Sequence, residues 1–501
     1  MADESGLSPY VFSCEGGLVL DQSTFSMQPG MALELQNFEP DIRGGYRRIS
    51  GYNKWNSNVV PFTASSTEKV LMSAYFKGNI LAARGESVYK GGTTGSWTSI
   101  DSGRTSADKY TFFRYNLAGT DYIVWADGAN NASKYDGTTV TDINATDAPA
   151  DPKYVIGFKD ALFFAGMSST PQELVFTAPF TDDDFNTANG AGTIRVDSSI
   201  TGLFPFRDQL YIFCEERIFR LTGNTIADFV VQPVTREIGC INGFTIQEFA
   251  GDIVFLGPDG LRTIAGTERI DDVELGTISR AIQRRFSDLS DVDEFDSVVI
   301  PNKTQYRLFF SNSNVTRGNT TGVICVRKGD SYEFADLRGI RPSCTDFVIS
   351  DGESIVVHGE YDGYVYRQEQ GNDFDGNVIT GKYRSPDLSM GDAGIRKTFQ
   401  RVIINYAPEA SVNADLFVRY DYEAPNVARP AAYPFDTATV VAVYGTSSYG
   451  TATYGGQSNP LFRQPIEGSG FAVALRVNDR GTSAPYSLKG FQLEFDAGAR
   501  R

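Results

Sequence analysis

Chemistry could concentrate at five places in this 501-residue sequence: its one histidine, a glycine-lysine phrase, two acidic clusters, three arginines and three tyrosines. His358 has the side chain of a general base, but it stands inside the apolar run SIVVHGEY, where a hydrogen-bonded strand position fits better than proton transfer. GNVITGKY, Gly376 to Tyr383, has the spacing of a phosphate-cradling loop; Tyr383 takes the place of the magnesium-binding hydroxyl and no helical pattern follows, so the match reads as chance. Neither NDFDGN (Asn372 to Asn377) nor TDDDF (Thr181 to Phe185) meets the ligand order of a calcium loop. No G-x-S-x-G elbow and no H-E-x-x-H helix occurs. Catalytic residues, a metal site and a cofactor are therefore expected to be absent, and the chain is read as a non-enzyme.

The two remaining groups suit contact rather than catalysis. In LGTISRAIQRRFSDLS, Leu275 to Ser290, the residues Ile278, Ala281, Ile282 and Arg285/Phe286 share one helical face and Thr277 is placed to cap the start. Arg280, Arg284 and Arg285 make the other side basic in an acidic region, which suits a neighbouring subunit or simply water. In YGTSSYGTATYGG, Tyr444, Tyr449 and Tyr454 each precede a glycine at five-residue spacing, a period of neither helix nor strand. Such a loop either offers aromatic area to another chain or packs on its own domain.

The elements that must carry these residues are strands. Fifty Gly, 25 Tyr and 35 Phe with only 21% charged residues favour aromatic strands joined by tight turns. FRDQLYIF (Phe206 to Phe213) and FKDALFFAG (Phe158 to Gly166) are nearly one phrase, and apolar runs restart after turns at Gly78, Thr120, Asp160, Asp208, Asp252, Thr304 and Gly352, at steps of 42, 40, 48, 44, 52 and 48 residues. A further short strand follows each restart. A unit of this length with several short strands cannot cover both faces of its own sheet, so it must stack on copies of itself around an axis. The expectation is an all-β chain: a β-propeller of six or seven blades over 61–380 with an inserted short helix, N-terminal strands or an extension over 1–60, and a C-terminal antiparallel β-sandwich-like domain with the Tyr-Gly loop over 381–501. A series of β-sandwiches or barrels with chance spacing is the alternative.

The net charge of −17 opposes nucleic-acid reading, which needs a basic face to displace counterions. Residues 381–501 hold 13 Lys/Arg and 11 Asp/Glu, so the acidity, −19, lies wholly before them. Five cysteines, scattered and never spaced C-x-x-C, are read as buried small hydrophobes, and no signal peptide or membrane-spanning run is expected.

Gly16 to Trp55 supplies a resemblance. Gly16-Gly17-Leu18, Pro29-Gly30, Asn37-Phe38 and Gly45-Tyr46-Arg47-Arg48-Ile49-Ser50-Gly51-Tyr52 are similar to the opening of the tail hub, or nozzle, proteins of short-tailed bacteriophages, also called packaged-DNA stabilisation proteins. APYSLKGFQLEF, Ala484 to Phe495, resembles their final strand, and the inserted helix falls where they carry one. The resemblance implies a structural virion protein made in the bacterial host cytoplasm. It implies a homo-hexamer below the portal-adaptor ring that extends the exit channel for double-stranded DNA, helps retain the genome without reading its sequence, and anchors fibres, spikes or a needle. Two other readings stand beside it: a carbohydrate-binding or glycan-hydrolysing propeller, and a fibre-attachment subunit elsewhere in a tail. The serine-aspartate turns of sialidase blades are absent.

Overall fold

The computed structural model describes residues 7–498 except 63–67, 106–107, 266–276, 288, 290–291, 293, 312–318, 410, 428 and 438–459. All seven expected hairpins are present. Arg207 and Asp208, in FRDQLYIF, both adopt left-handed backbone (φ 46° and 66°), the primed turn whose twist matches the strands it joins. Lys77-Gly78, Ala118-Gly119, Ala250-Gly251 and Asp351-Gly352 repeat that pair of positive φ values.

The described sheets form a six-bladed propeller. Blade 1 is Met72–Phe76, Asn79–Arg84, Ser87–Gly91 and Thr98–Ser102; blade 2 is Thr111–Leu117, Thr120–Ala126, Ser133–Tyr135 and Val140–Asp142. Blade 3 is Tyr154–Phe158, Ala161–Ala165, Glu173–Phe176 and Gly192–Arg195, and blade 4 is Ile200–Phe206, Gln209–Cys214, Ile218–Thr222 and Val230–Thr235. Blade 5 has three strands, Gln247–Phe249, Asp252–Gly257 and Gly260–Thr263. Blade 6 takes Pro342–Ser350, Glu353–Glu360 and Val365–Gln368 from late in the chain and its outermost strand, Tyr52–Lys54, from the beginning. The sixth hairpin, at Thr304, opens a meander, Glu294–Ile300, Gln305–Ser311, Thr320–Lys328 and Ser331–Arg338, whose first strand packs against blades 5 and 6. This meander is not a separate blade: it continues outward into a nine-stranded sheet through Glu34–Gln36, Gly381–Arg384, Val473–Asp479, Asn413–Tyr420 and Tyr433–Asp436.

Apolar clusters fill the gaps between successive blades. Trp125 and Tyr135 pack with Met72 and Leu81 between blades 1 and 2, and Phe163 and Phe176 pack with Leu210 and Ile212 between blades 3 and 4. Each such aromatic contributes about 1.5–3 kcal/mol on burial, and each blade supplies half of two such gaps. Turns are also stitched to the next blade: Lys77 Nζ donates to Asp136 O at 2.7 Å, Arg207 to Gly251 O at 2.7 Å, and Lys159 pairs with the Asp208 carboxylate.

A seven-stranded sheet, containing Ser8–Ser13, Phe38–Pro40, Tyr46–Arg48, Tyr486–Ala497, Lys397–Pro408, Leu461–Pro465 and Ser469–Gly470, packs on the outer part of the nine-stranded one. Phe399 meets Tyr420 across the two at a centroid distance of 5.4 Å, and Tyr406 meets Phe435 at 5.2 Å, which makes the expected sandwich. The N-terminal strands are shared among this sandwich and blade 6. Gly30 shows why the motif needs glycine: its φ is 103°, and a Cβ there would lie 2.0 Å from Ser13 O.

The inserted helix differs from its expectation. Ile282 and Phe286 are buried as the period implies, but the described element is a six-residue 3-10 helix, Arg280–Arg285, kinked at Ile282. Its carbonyls and amides are diverted: Ala281 O accepts Leu20 N at 2.8 Å and Arg284 N donates to Asp21 Oδ2 at 3.0 Å. Thr277 does not cap it, because its hydroxyl donates to Asp259 Oδ2 at 3.1 Å. Among the described residues no helix is long and apolar enough to cross a membrane.

All five cysteines are buried and free. Burial pushes the thiols of Cys214 and Cys240 up to about 12 and that of Cys344 to about 11. A disulfide-exchange reagent at pH 8 will therefore find no fast-reacting thiol in the native protein and five after denaturation; one rapid native equivalent would contradict the packing.

Candidate functional site

The first place to seek a site in a propeller is its axis, where the first strands of the blades converge. Here ion pairs link elements of different sheets. Lys109, leading into blade 2, reaches across to Asp296 in the meander at 2.7 Å and gives a second bond to Phe295 O at 3.1 Å. Its ammonium also lies 4.1 Å from the ring centre of Phe244. Arg114 of blade 2 pairs with Asp346 of blade 6 and donates to Tyr75 O of blade 1 at 2.9 Å, while Asp346 accepts Tyr75 N at 2.7 Å. Burial raises the carboxyls of both Asp296 and Asp346 above their ordinary value, with Lys109 and Arg114 opposing it. Asp296 and Asp346 are thus each paired with a cation from Lys109–Leu117, the start of blade 2.

A second polar constellation lies where propeller and sandwich meet. Glu39, 3% exposed, accepts Arg47 at 3.1 Å and Lys303 at 2.7 Å through Oε1, and Gln305 at 3.1 Å and Arg307 at 3.3 Å through Oε2. Arg307, 1% exposed, also donates to Glu369 Oε1 at 2.5 Å and Gln368 Oε1 at 3.0 Å. Glu369 binds Lys303 as well, and Arg47 makes a two-bond fork to Glu409 at 2.7 and 3.1 Å. Three carboxylates thus face three cations drawn from N-terminal strands, meander, blade 6 and sandwich. Above them is a cavity of about 290 Å³, lined by Asp41, Arg43 and Asn302 among others. This arrangement fixes the relative positions of the elements it joins.

The expected site residues separate. Arg285 makes a two-bond pair with buried Asp336 at 3.0 and 2.5 Å, so it serves the interior. Burial raises the Asp336 carboxyl, and Arg285 opposes that rise. Arg280 and Arg284 are exposed, and Arg280 borders a largely apolar cavity of about 600 Å³ with Val19, Met31 and Tyr332. Tyr444, Tyr449 and Tyr454 lie outside the described residues. His358 is fully buried, 5.3 Å from the Tyr366 ring centre, with Nδ1 3.2 Å from Gln368 Nε2, as a strand position requires. Tyr383 and Lys382 are strand residues paired with Leu35 and Gln36, which disposes of the phosphate loop. Asp182 of the TDDDF cluster is buried and receives Lys134 at 2.6 Å and Tyr115 at 2.9 Å. Sequence reading missed Glu39, Lys303, Arg307 and Glu369 altogether, since nothing in their local phrases links positions up to 330 residues apart.

No protein-family model and no curated protein matches this chain. Solved structures resemble it only distantly. The computationally designed Ika8 protein is 11% identical, with a TM-score of 0.35, covering 63% of this chain and 99% of its own. The WD40 domain of Neurospora crassa Pan2 is 8% identical, TM-score 0.36, covering 64% and 96%. An ancestral GH74 enzyme is 9% identical, TM-score 0.39, covering 65% and 52%. The fold assignment rests on the sheet order described above, and no activity passes from these proteins to this one.

The charged junction has a measurable signature. Burial opposes ionisation of Glu369, but Lys303 and Arg307 overcome it and hold the carboxyl below its ordinary 4.5. A folded value below the unfolded one means that the unfolded chain binds more protons in that window, so this stability is full above about pH 4.5 and is lost as pH falls below it. Glu369→Gln should lower unfolding stability by about 3–5 kcal/mol at pH 7. The difference from the parent should shrink as pH drops below 4.5 in urea titrations; a constant difference would contradict the pairing.

Proposed function

We propose that the protein is a structural virion component, the tail nozzle of a short-tailed phage, which assembles as a ring that continues the DNA exit channel beneath a portal-adaptor complex. The observation that carries this reading is the course of Gly16–Trp55, the segment with the nozzle-like residues. It contributes Glu34–Gln36 to the nine-stranded sheet, Phe38–Pro40 and Tyr46–Arg48 to the seven-stranded sheet and Tyr52–Lys54 to blade 6. Its buried Arg48 donates to Gly481 O at 2.8 Å, 3.6 Å from Asp479. A wall that holds back compressed DNA needs propeller and platform locked as one body, and this segment does that.

The braced propeller fits the same role. In this reading the passage is the centre of the ring and the propeller, braced by Lys109–Asp296, is one sector of its wall. An acidic chain suits a lumen that repels phosphate and lets duplex slide, because no counterion-release gain holds it there. Portal-adaptor docking and fibre, spike or needle anchoring belong to this proposal.

The purified full-length chain, alone or mixed with a portal-adaptor assembly, should give rings in electron micrographs, with six-fold symmetry in averaged end views. A chain that stays monomeric by light scattering and never docks on that assembly would overturn the reading.

A further inference from the structure

One exposed aromatic of blade 3 is held where glycine ordinarily stands. The Thr181 amide donates to Ala178 O at 3.2 Å, which closes a turn with Pro179 and Phe180 in its two central places. Phe180 has φ 60°, and proline followed by positive φ is the type II turn, whose second central place favours glycine or asparagine. A bulky residue there is strained, and Phe180 is 72% exposed, so its ring gains little burial in return. The carboxylates that follow in TDDDF have different partners. Asp182 is buried on Lys134 and Tyr115, and Asp184 accepts Asn186 N at 2.9 Å and Asn189 Nδ2 at 2.7 Å. Asp183 is exposed and makes no ion pair among the described residues.

The cavity of about 600 Å³ beside Arg280 has the complementary composition. Val19, Met31, Ala281 and Tyr332 give it apolar walls. Its two carboxylates are already engaged: Glu333 with Lys328 at 3.2 Å and Gly16 N at 3.0 Å, and Asp21 with Arg284 N at 3.0 Å. Arg280 is exposed at the rim, and its side chain makes no ion pair among the described residues. A space of about 150 Å³ holds a benzene ring, so the cavity has room for the Phe180 ring together with exposed Pro179. Its walls come from the N-terminal segment, the 3-10 helix and the meander, whereas blade 3 packs against blades 2 and 4. Knob and socket are separate surfaces of one chain.

We propose that Phe180 of one copy seats in the Val19–Met31–Ala281–Tyr332 cavity of the next, with Asp183 of the first copy against Arg280 of the second. The apolar fit and the charges agree: the strained ring finds burial, and an open carboxylate meets an open guanidinium at the rim. An aromatic anchor in a pocket carries much of the energy of an interface, while charges beside it fix register and exclude wrong partners. Because knob and socket differ, a copy that receives one neighbour still offers its knob to another, the head-to-tail arrangement that closes into rings. This inference rests on the ring reading and specifies its contact.

Phe180→Gly in the full-length chain is the first test, because glycine suits φ 60° and no internal contact is lost. The variant should keep the parent's circular dichroism and a thermal midpoint at or above the parent's. It should nevertheless stay monomeric by light scattering where the parent forms rings, alone or on a portal-adaptor assembly. Ala281→Trp, which fills the socket, should be a monomer too. Mixed one to one, the two variants should form a heterodimer that grows no further, since one keeps the socket and the other the knob. Should the tryptophan disturb the fold, the exposed rim gives a second arm. Arg280→Glu should weaken assembly about tenfold at ~0.1 M salt, and Asp183→Arg added to the same chain should restore it. Rings that persist in Phe180→Gly, or a charge reversal without rescue, would overturn this contact and leave the nozzle reading standing. A parent that never forms rings would overturn both.

Discussion

The architecture depends on the buried charge junction around Glu39, Arg307 and Glu369. A buried carboxylate is tolerable only when opposite charge and hydrogen bonds replace its lost water. Glu39 has four such donors, from residues 47, 303, 305 and 307. Each comes from an element that must already be in place, so the network forms only when N-terminal strands, meander, blade 6 and sandwich are docked together. Its value is better described as geometric selection than as net stabilisation, because apolar residues of the same volume would often pack as well. Glu369 also adopts left-handed backbone, φ 61°, which costs about 1–2 kcal/mol outside glycine. Two cations hold it there.

That junction supports a closure problem common to all circular stacks. Each blade buries its faces only against neighbours, so the last must be fastened to the first. Tyr52–Lys54 supplies the outer strand of blade 6, and the same segment has already threaded both sheets of the sandwich. Ring closure and platform docking are therefore one event in space. Gly51 marks the tightest point of the route, where a Cβ would fall 1.8 Å from Asp373 O.

Lys109–Asp296 and Arg114–Asp346 tie first strands of different sheets to one another. Blades 1, 2 and 6 and the meander are cross-braced through them, which stiffens the wheel against shear. The sandwich is locked to the propeller through the same N-terminal segment, and the proposed nozzle role uses that single rigid unit as a repeating sector of a wall.

The periodic turns made the all-β wheel legible in sequence, because a two-residue turn between apolar runs is a local event: Arg207-Asp208 needs only its own backbone and its flanking strands. The cysteines and His358 were equally legible, since an apolar run of strand residues goes inside wherever the strand is placed. The same local reasoning found the apolar face of the Arg280–Arg285 helix but not its 3-10 winding, which Leu20 and Asp21 impose from more than 250 residues away. Nor could it find the charge junction, the role of Arg285 or the sharing of the N-terminal strands between sandwich and blade 6. Those depend on which distant strands become neighbours, and Coulomb pairing and strand register are properties of juxtaposition that no single stretch of chain contains.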